Sequence, residues 1–182
     1  MKRFILISLW MAFVAGGSFA QKHFNVSGGY FGHTLSHPGL VIEAEWEHMY
    51  NDRVSLPLYV GAGVYVHPRN HYGTFLEAGT GFRQYTRSGL FFEERLALGV
   101  LQTFLHSDAV YEVDESGLVS QGSRSNPPDF MPSISLGFGY NFSQGEGKQN
   151  LLWIRPKLFF QMPHKTFANY HMAVQVGFTH SL

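Results

Sequence analysis

Cysteine is absent from the 182 residues. That excludes a disulfide framework and any thiolate metal centre. Beyond the first twenty residues no stretch approaches ~18 continuous apolar residues, which excludes a helical membrane span. No helix-period pattern of useful length follows either. Charge is sparse and balanced, with 13 Lys and Arg against 13 Asp and Glu. No basic excess marks a nucleic-acid footprint, so nucleic acid is not among the expected partners.

What is present begins with residues 1–20. Lys2 and Arg3 precede an apolar run from residue 4 to 15, followed by Gly16, Gly17, Ser18, Phe19 and Ala20. This is the pattern of a secretory signal peptide cut after Ala20. An uncleaved anchor would need ~20 apolar residues, and this run is shorter. The leader holds two of the thirteen bases and no acid, so eleven bases face thirteen acids in the remainder, a net of −2. An exported chain without disulfides must be stabilised otherwise, and closure into a membrane barrel is one way.

The last stretch, 170–182, shows the organising pattern. Tyr170, Met172, Val174, Val176, Phe178, His180 and Leu182 fall on one parity, with His171, Ala173, Gln175, Gly177, Thr179 and Ser181 on the other. Strand side chains alternate between faces, so one face is apolar and the other small and polar. Seven earlier segments repeat it: 22–32, 39–50, 54–67, 72–85, 90–105, 130–142 and 151–162. Polar turns or loops separate them, and residues 106–129 form the longest connection. Within that loop, 109–113 and 118–120 flank a turn at 114–117 and predict a small hairpin.

The direction of the pattern decides the fold class. Glu43, Glu45, Glu47, Glu77, Arg83, Glu93, Arg95, Arg155 and Lys157 all share the polar parity. In a soluble sandwich or lipocalin-like barrel the apolar parity would face a core. Charges inside with Leu, Val and Phe outside would make a soluble barrel aggregate, whereas a lipid-embedded barrel requires that arrangement. Each segment is also about as long as the 9–11 residues a tilted strand needs to cross the hydrocarbon. The expectation is an all-β, eight-stranded, antiparallel up-and-down transmembrane barrel over residues 21–182.

An even strand count puts both termini on one side, with mostly short turns there and the long loop opposite. Outer-membrane barrels have short periplasmic turns and longer external loops. Tyr30, Tyr72, Phe104, Phe130, Phe160 and Tyr170 fall near the external edge, and Trp46, Tyr50, Phe82, Phe92, Tyr140 and Phe142 near the periplasmic edge. They read as two aromatic girdles at the headgroup levels. Inside, the nine charges read as one neutralising plug, and Tyr59, Tyr65, Phe75, Phe91 and Trp153 narrow the lumen further, so an open porin is not expected. Pro156 lies within a strand paired on both sides, and predicts a bulge or irregular pairing.

With these features the chain resembles the small eight-stranded outer-membrane proteins, of which the OmpA transmembrane domain and OmpX are the familiar types. The resemblance covers the whole chain after the leader as architecture. It includes the terminal alternating strand, although this chain ends on Leu182 where OmpA-like barrels end on an aromatic. Residues 110–114 (VYEVD) and 130–140 (FMPSISLGFGY) also look like small Gram-negative barrels of unassigned function. The resemblance implies a Gram-negative outer membrane, with its lipid and lipopolysaccharide as surroundings.

No motif fixes an activity. His33, His37, His67, His71, His106 and His164 fall in or beside external loops. Neutral imidazole binds transition metals, but no tight His/carboxylate spacing makes a recognisable centre, and neither metal nor cofactor is expected. Outer-membrane lipid A deacylases are eight-stranded barrels with a His/Ser pair near the rim. Their His-x-Ser strand pattern is absent here, and His33 with Ser36, or His106 with Ser107 and Asp108, would be the substitutes. The leading expectation is a structural or surface-interaction barrel whose loop 106–129 meets an external protein or surface ligand. A lipid A-modifying acyl hydrolase is the alternative.

Overall fold

The structure is a computed structural model that describes residues 22–34, 37–106, 111–113, 117–122, 125, 127–143, 149–162 and 168–182. The expected leader, 1–20, lies outside them. Eight strands make the barrel: β1 (Lys22–His33), β2 (Gly39–Asn51), β3 (Val54–His67), β4 (His71–Tyr85), β5 (Leu90–Leu105), β9 (Ser133–Asn141), β10 (Asn150–Gln161) and β11 (Asn169–Ser181). Between β5 and β9 lie the short β6 (Tyr111–Val113), β7 (Val119–Gln121) and β8 (Asp129–Phe130).

All neighbours pair antiparallel, in the order β4-β3-β2-β1-β11-β10-β9-β5, and β4 also pairs with β5. The sheet therefore closes and leaves no edge. β8 is the distal start of the same strand as β9. Its pairs Val100–Phe130 and Leu101–Asp129 continue the register of Leu96–Ile134 and Ala97–Ser133. Pro132, which has no N–H, sits between the two pieces. β6 and β7 pair with each other alone, as the small hairpin expected within the long connection.

Pro156 does not shift the register. β10 keeps one register with β9 from Leu151–Asn141 to Phe159–Ser133, but the ladder omits Arg155 and Pro156. The pairing of β10 with β11 runs through Pro156–Val174 unbroken. The irregularity is thus a local gap on the β9 side, where the missing proline donor would have bonded. The one register shift between β2 and β3 is instead at Met49/Asn51.

The alternation read from the sequence is the pleat of this barrel. Leu40, Ile42, Leu58, Leu76, Leu96, Leu98 and Phe138 are exposed on the outer wall, while Phe31, Tyr65, Phe75, Phe159 and Trp153 are buried inside. Glycines on one strand make room for rings from another. A Cβ on Gly139 would lie 2.4 Å from the Phe91 ring, and one on Gly177 would lie 2.4 Å from Trp153. The interior is filled by side chains, as expected for eight strands.

Candidate functional site

Three layers occupy the lumen, counted from the end that holds both chain termini. Nearest the termini lie Asn25, Ser55, Tyr85, Phe91, Leu151 and Trp153, all buried. The charged layer follows. Above it lie Phe31, Val41, Tyr65, Phe75, Leu101, Met131 and Phe159, which belong to the same buried hydrophobic cluster as Tyr85, Phe91, Leu151 and Trp153. A rim of histidines closes the distal end.

The charged layer holds the nine residues expected inside, none of them more than 5 % exposed. Seven join in one network. Arg83 reaches Glu45 at 2.9 Å, Glu47 at 3.0 Å and Glu93 at 2.8 Å. Arg95 binds Glu43 at 2.9 Å and also Glu45, and lies 3.6 Å from Glu93. Arg155 binds Glu43 at 2.9 Å and also Glu93. Lys157 and Glu77 pair separately, with Ser133 donating to Glu77 at 3.3 Å. The single plug read from the sequence is therefore a network of seven and a pair of two among the described residues. Gly61 lies between Glu43 and Glu77 on the ladder, and the two acids turn to different cations.

Four carboxylates face three guanidinium groups in the larger network. Neutral donors supply the difference at Glu47, which accepts from the Tyr85 hydroxyl at 2.8 Å, from Asn25 at 3.2 Å and from Ser55. Aromatic faces support two of the cations. The Arg155 guanidinium lies 3.7 Å from the Trp153 ring centroid and that of Arg95 lies 4.0 Å from Tyr59. Paired in this way, the buried carboxylates define one arrangement of the lumen, since any loss of a partner is costly, while Arg95 Nε and Arg155 Nη2 have no hydrogen-bond partner among the described residues.

The rim gathers histidines from separated strands. His33 Nε2 lies 3.0 Å from His171 Nδ1, and His171 Nε2 lies 3.2 Å from Gln161 Oε1. The His37 and His67 rings stack at 3.9 Å, and His67 stacks on His71 at 5.3 Å. Of the histidines singled out in the sequence, His33, His37, His67 and His71 thus meet. His106 lies instead against the outward ring of Tyr72, at 5.8 Å, and His164 is outside the described residues. His171 and Gln161 were not singled out. Their signal was the polar parity at the distal ends of the last two strands.

Neither nucleophile–base set expected from the sequence lies wholly within the described residues. Ser36, Ser107 and Asp108 lie outside them. The Thr34 hydroxyl contacts His37 Nδ1 at 2.6 Å, but the same nitrogen faces the His33 carbonyl at 3.2 Å.

On the outer wall, Trp46, Tyr50, Phe82, Phe92, Tyr140 and Phe142 face outward near the terminal end, and Tyr30, Tyr72, Phe104, Phe130, Phe160 and Tyr170 near the other. Some pair across strands, as Tyr72 with Phe104 at 4.8 Å and Phe92 with Phe138 at 5.2 Å.

A closed, eight-stranded antiparallel barrel with charges inside and an apolar wall is the fold of the small outer-membrane barrels. Solved structures of that kind are similar to it. Neisserial surface protein A matches with a TM-score of 0.57 and 10 % identity over 90 % of this chain and 99 % of its own. The N-terminal β-barrel domain of Pseudomonas aeruginosa OprF matches with 0.50 and 15 % identity over 88 % of this chain and 99 % of its own. Ail, the attachment invasion locus protein of Yersinia pestis, solved with the heparin analogue sucrose octasulfate, matches with 0.53 and 6 % identity over 90 % and 99 %. At such identities the likeness is one of fold. No protein-family model matches the chain, and no curated protein matches it in sequence.

Proposed function

We propose that this chain is a Gram-negative outer-membrane protein, exported by a cleaved leader, which acts as a structural and surface-interaction scaffold. The observation that carries the reading is the inverted polarity, with nine buried charges inside a wall of exposed Leu, Ile, Val and Phe. Only lipid makes such a wall favourable. The barrel anchors loop 106–129 on the external side, against lipopolysaccharide, an external protein or another surface ligand. With the lumen filled by side chains, the barrel is not an open pore.

Two results test this. The mature protein should fractionate with the outer membrane and migrate differently on gels with and without boiling, because a closed barrel resists detergent. Recovery as a soluble periplasmic protein overturns the reading.

The external loop should be dispensable for folding. Replacing residues 107–124 by a short Gly/Ser turn keeps the Gln102–Ser125 bond at 2.7 Å and should change stability by only about 1 kcal/mol, since loop-closure entropy varies slowly with length. The intact loop should be the first segment cut by protease added to whole cells. A shortened variant that fails to insert, or a loop protected on intact cells, counts against its external placement.

A further inference from the structure

The histidines of the distal mouth form a row of neighbours that runs from β4 round to β11. His71 stands opposite His67 on the β3–β4 ladder, with the rings 5.3 Å apart. His67 stacks on His37 at 3.9 Å. His37 stands opposite His33 in an isolated bridge, with the rings 5.4 Å apart. His33 Nε2 then lies 3.0 Å from His171 Nδ1. The row joins the distal ends of β1, β3, β4 and β11 and the loop between β1 and β2.

This arrangement suits neutral rings and opposes charged ones. Like charges directly opposite across a ladder are destabilising, and the row sets imidazole against imidazole at every step. In the His33–His171 bond one nitrogen donates and the other accepts, so the bond is lost when both rings are charged. His33 is only 5 % exposed and packs on Tyr65 at 4.7 Å and Phe159 at 5.7 Å. A proton added at His33 Nδ1 or His67 Nδ1 would meet no acceptor among the described residues, and a buried N–H left unpaired is costly.

The charged and titratable groups around the row do not offset this. Asp129 reaches it through Gln161, which donates to the carboxylate at 2.6 Å and whose carbonyl lies 3.2 Å from His171 Nε2. Arg69, exposed in the turn between His67 and His71, adds a further cation. His106 lies on the outer side, against Tyr72. Tyr65 stays neutral at any pH where imidazole titrates. Deeper in the lumen, Lys157 and Glu77 neutralise each other.

We infer that the row is an acid-sensitive catch on the mouth of the barrel. Neutral, it holds the β1–β2 loop and the distal strand ends together over Phe31, Tyr65 and Phe159. Charged, its members part and the mouth loosens. A structure that binds fewer protons closed than open loses stability as pH falls. The catch is therefore closed above about pH 6.5, where imidazole is neutral, and opens below it. The charged layer contains no histidine, so the response is confined to the distal end. With this mouth on the external side, as proposed above, the acid is that of the surroundings, but the device itself does not depend on that placement.

The test is amide exchange of the refolded barrel in detergent micelles between pH 7.5 and pH 5, corrected for the intrinsic pH dependence of exchange. Three amides report the catch. That of Val66 donates to the Pro38 carbonyl at 2.9 Å, and those of His33 and His37 each donate to the other's carbonyl at 3.0 Å. Their protection should fall at least about tenfold on acidification. That of Tyr85, which donates to the Arg53 carbonyl at 2.7 Å at the opposite end, should hold. The double variant His37→Gln with His67→Gln removes two charges from the middle of the row and should keep Val66 protected at pH 5. His67→Glu sets a carboxylate beside His37 and His71 and should reverse the sign, with Val66 better protected at pH 5.5 than at pH 7.5. His180→Gln, far from the row, should respond as the native protein does. Heat-dependent gel migration verifies folding of each variant. If neither rim variant folds, imidazole nitrogen shifts of the native protein decide, since the row should charge over the same pH interval in which the three amides lose protection. Reporter amides that stay protected at pH 5 overturn the inference. So does loss of protection at Tyr85 together with them, or an unchanged acid response in the double variant.

Discussion

Replacing Arg83 by Met should destabilise the barrel by about 3–5 kcal/mol, the cost of leaving buried charges unpaired. Arg83 is fully buried and touches Glu45, Glu47 and Glu93. Its loss leaves four carboxylates in the network against Arg95 and Arg155 alone. Glu47 retains neutral donors from Asn25, Ser55 and Tyr85, and Glu93 retains Arg155. Glu45 loses both of its contacts to Arg83 and keeps Arg95 and Asn25.

The double variant Arg83→Met with Glu45→Gln restores the wild-type charge balance and should recover at least half of that loss. Urea unfolding in lipid measures both. Glu77→Gln is the control, because Glu77 pairs with Lys157 outside the network. Its effect should add to that of Arg83→Met within about 0.5 kcal/mol, while the Arg83–Glu45 cycle should show a coupling well above that. Equal coupling in the two cycles would mean that the lumen does not divide as described.

The sequence carried the wall and the parity of the interior more fully than the contacts within it. Strict alternation is a local property, so the eight strands, their inward set and their bounds could be read to within a residue or two. The strand at 130–142 differs only in the break at Met131–Pro132. Pro156 shows the limit of local reading. A proline inside a doubly paired strand predicts disturbance, but which neighbour loses the bond depends on where its nitrogen points. Here it points to β9.

Pairing across the lumen is another matter. Glu45 and Arg83 are 38 residues apart and Arg155 and Glu43 are 112 apart. Their meeting depends on strand tilt, relative depth and side-chain length, none of which alternation encodes. Parity alone therefore predicted one plug and could not separate Glu77 with Lys157. The histidine rim was legible only as a tendency of histidines toward one end. The contacts of His171 with His33 and Gln161 required the register of β11 with β1 and β10, and that of Gln161 with Asp129 the bridge Phe130–Met162.

The outer wall gives the other large effect. Leu98 lies near the middle of β5, 62 % exposed, beside Ala78 on β4. In lipid it faces the centre of the hydrocarbon. Leu98→Arg should cost about 2–4 kcal/mol there, as arginine does at the midplane of such barrels. Leu90, on the same parity at the terminal end of β5 and 54 % exposed, should tolerate arginine at a cost of about 0–1 kcal/mol. Eight residues of tilted strand separate the two by roughly 20 Å along the barrel axis. Glu94, exposed on the same face between them, places a native charge on the terminal side of Leu98, where the penalty is already falling. Reversible unfolding from lipid vesicles for the two variants reads the gradient directly. Arginine on a water-facing wall would be nearly neutral at both positions, because such surface substitutions stay within about 0.5 kcal/mol. A flat profile would therefore remove the membrane from the account of this fold, while a penalty at Leu98 that vanishes at Leu90 fixes the depth at which the barrel sits.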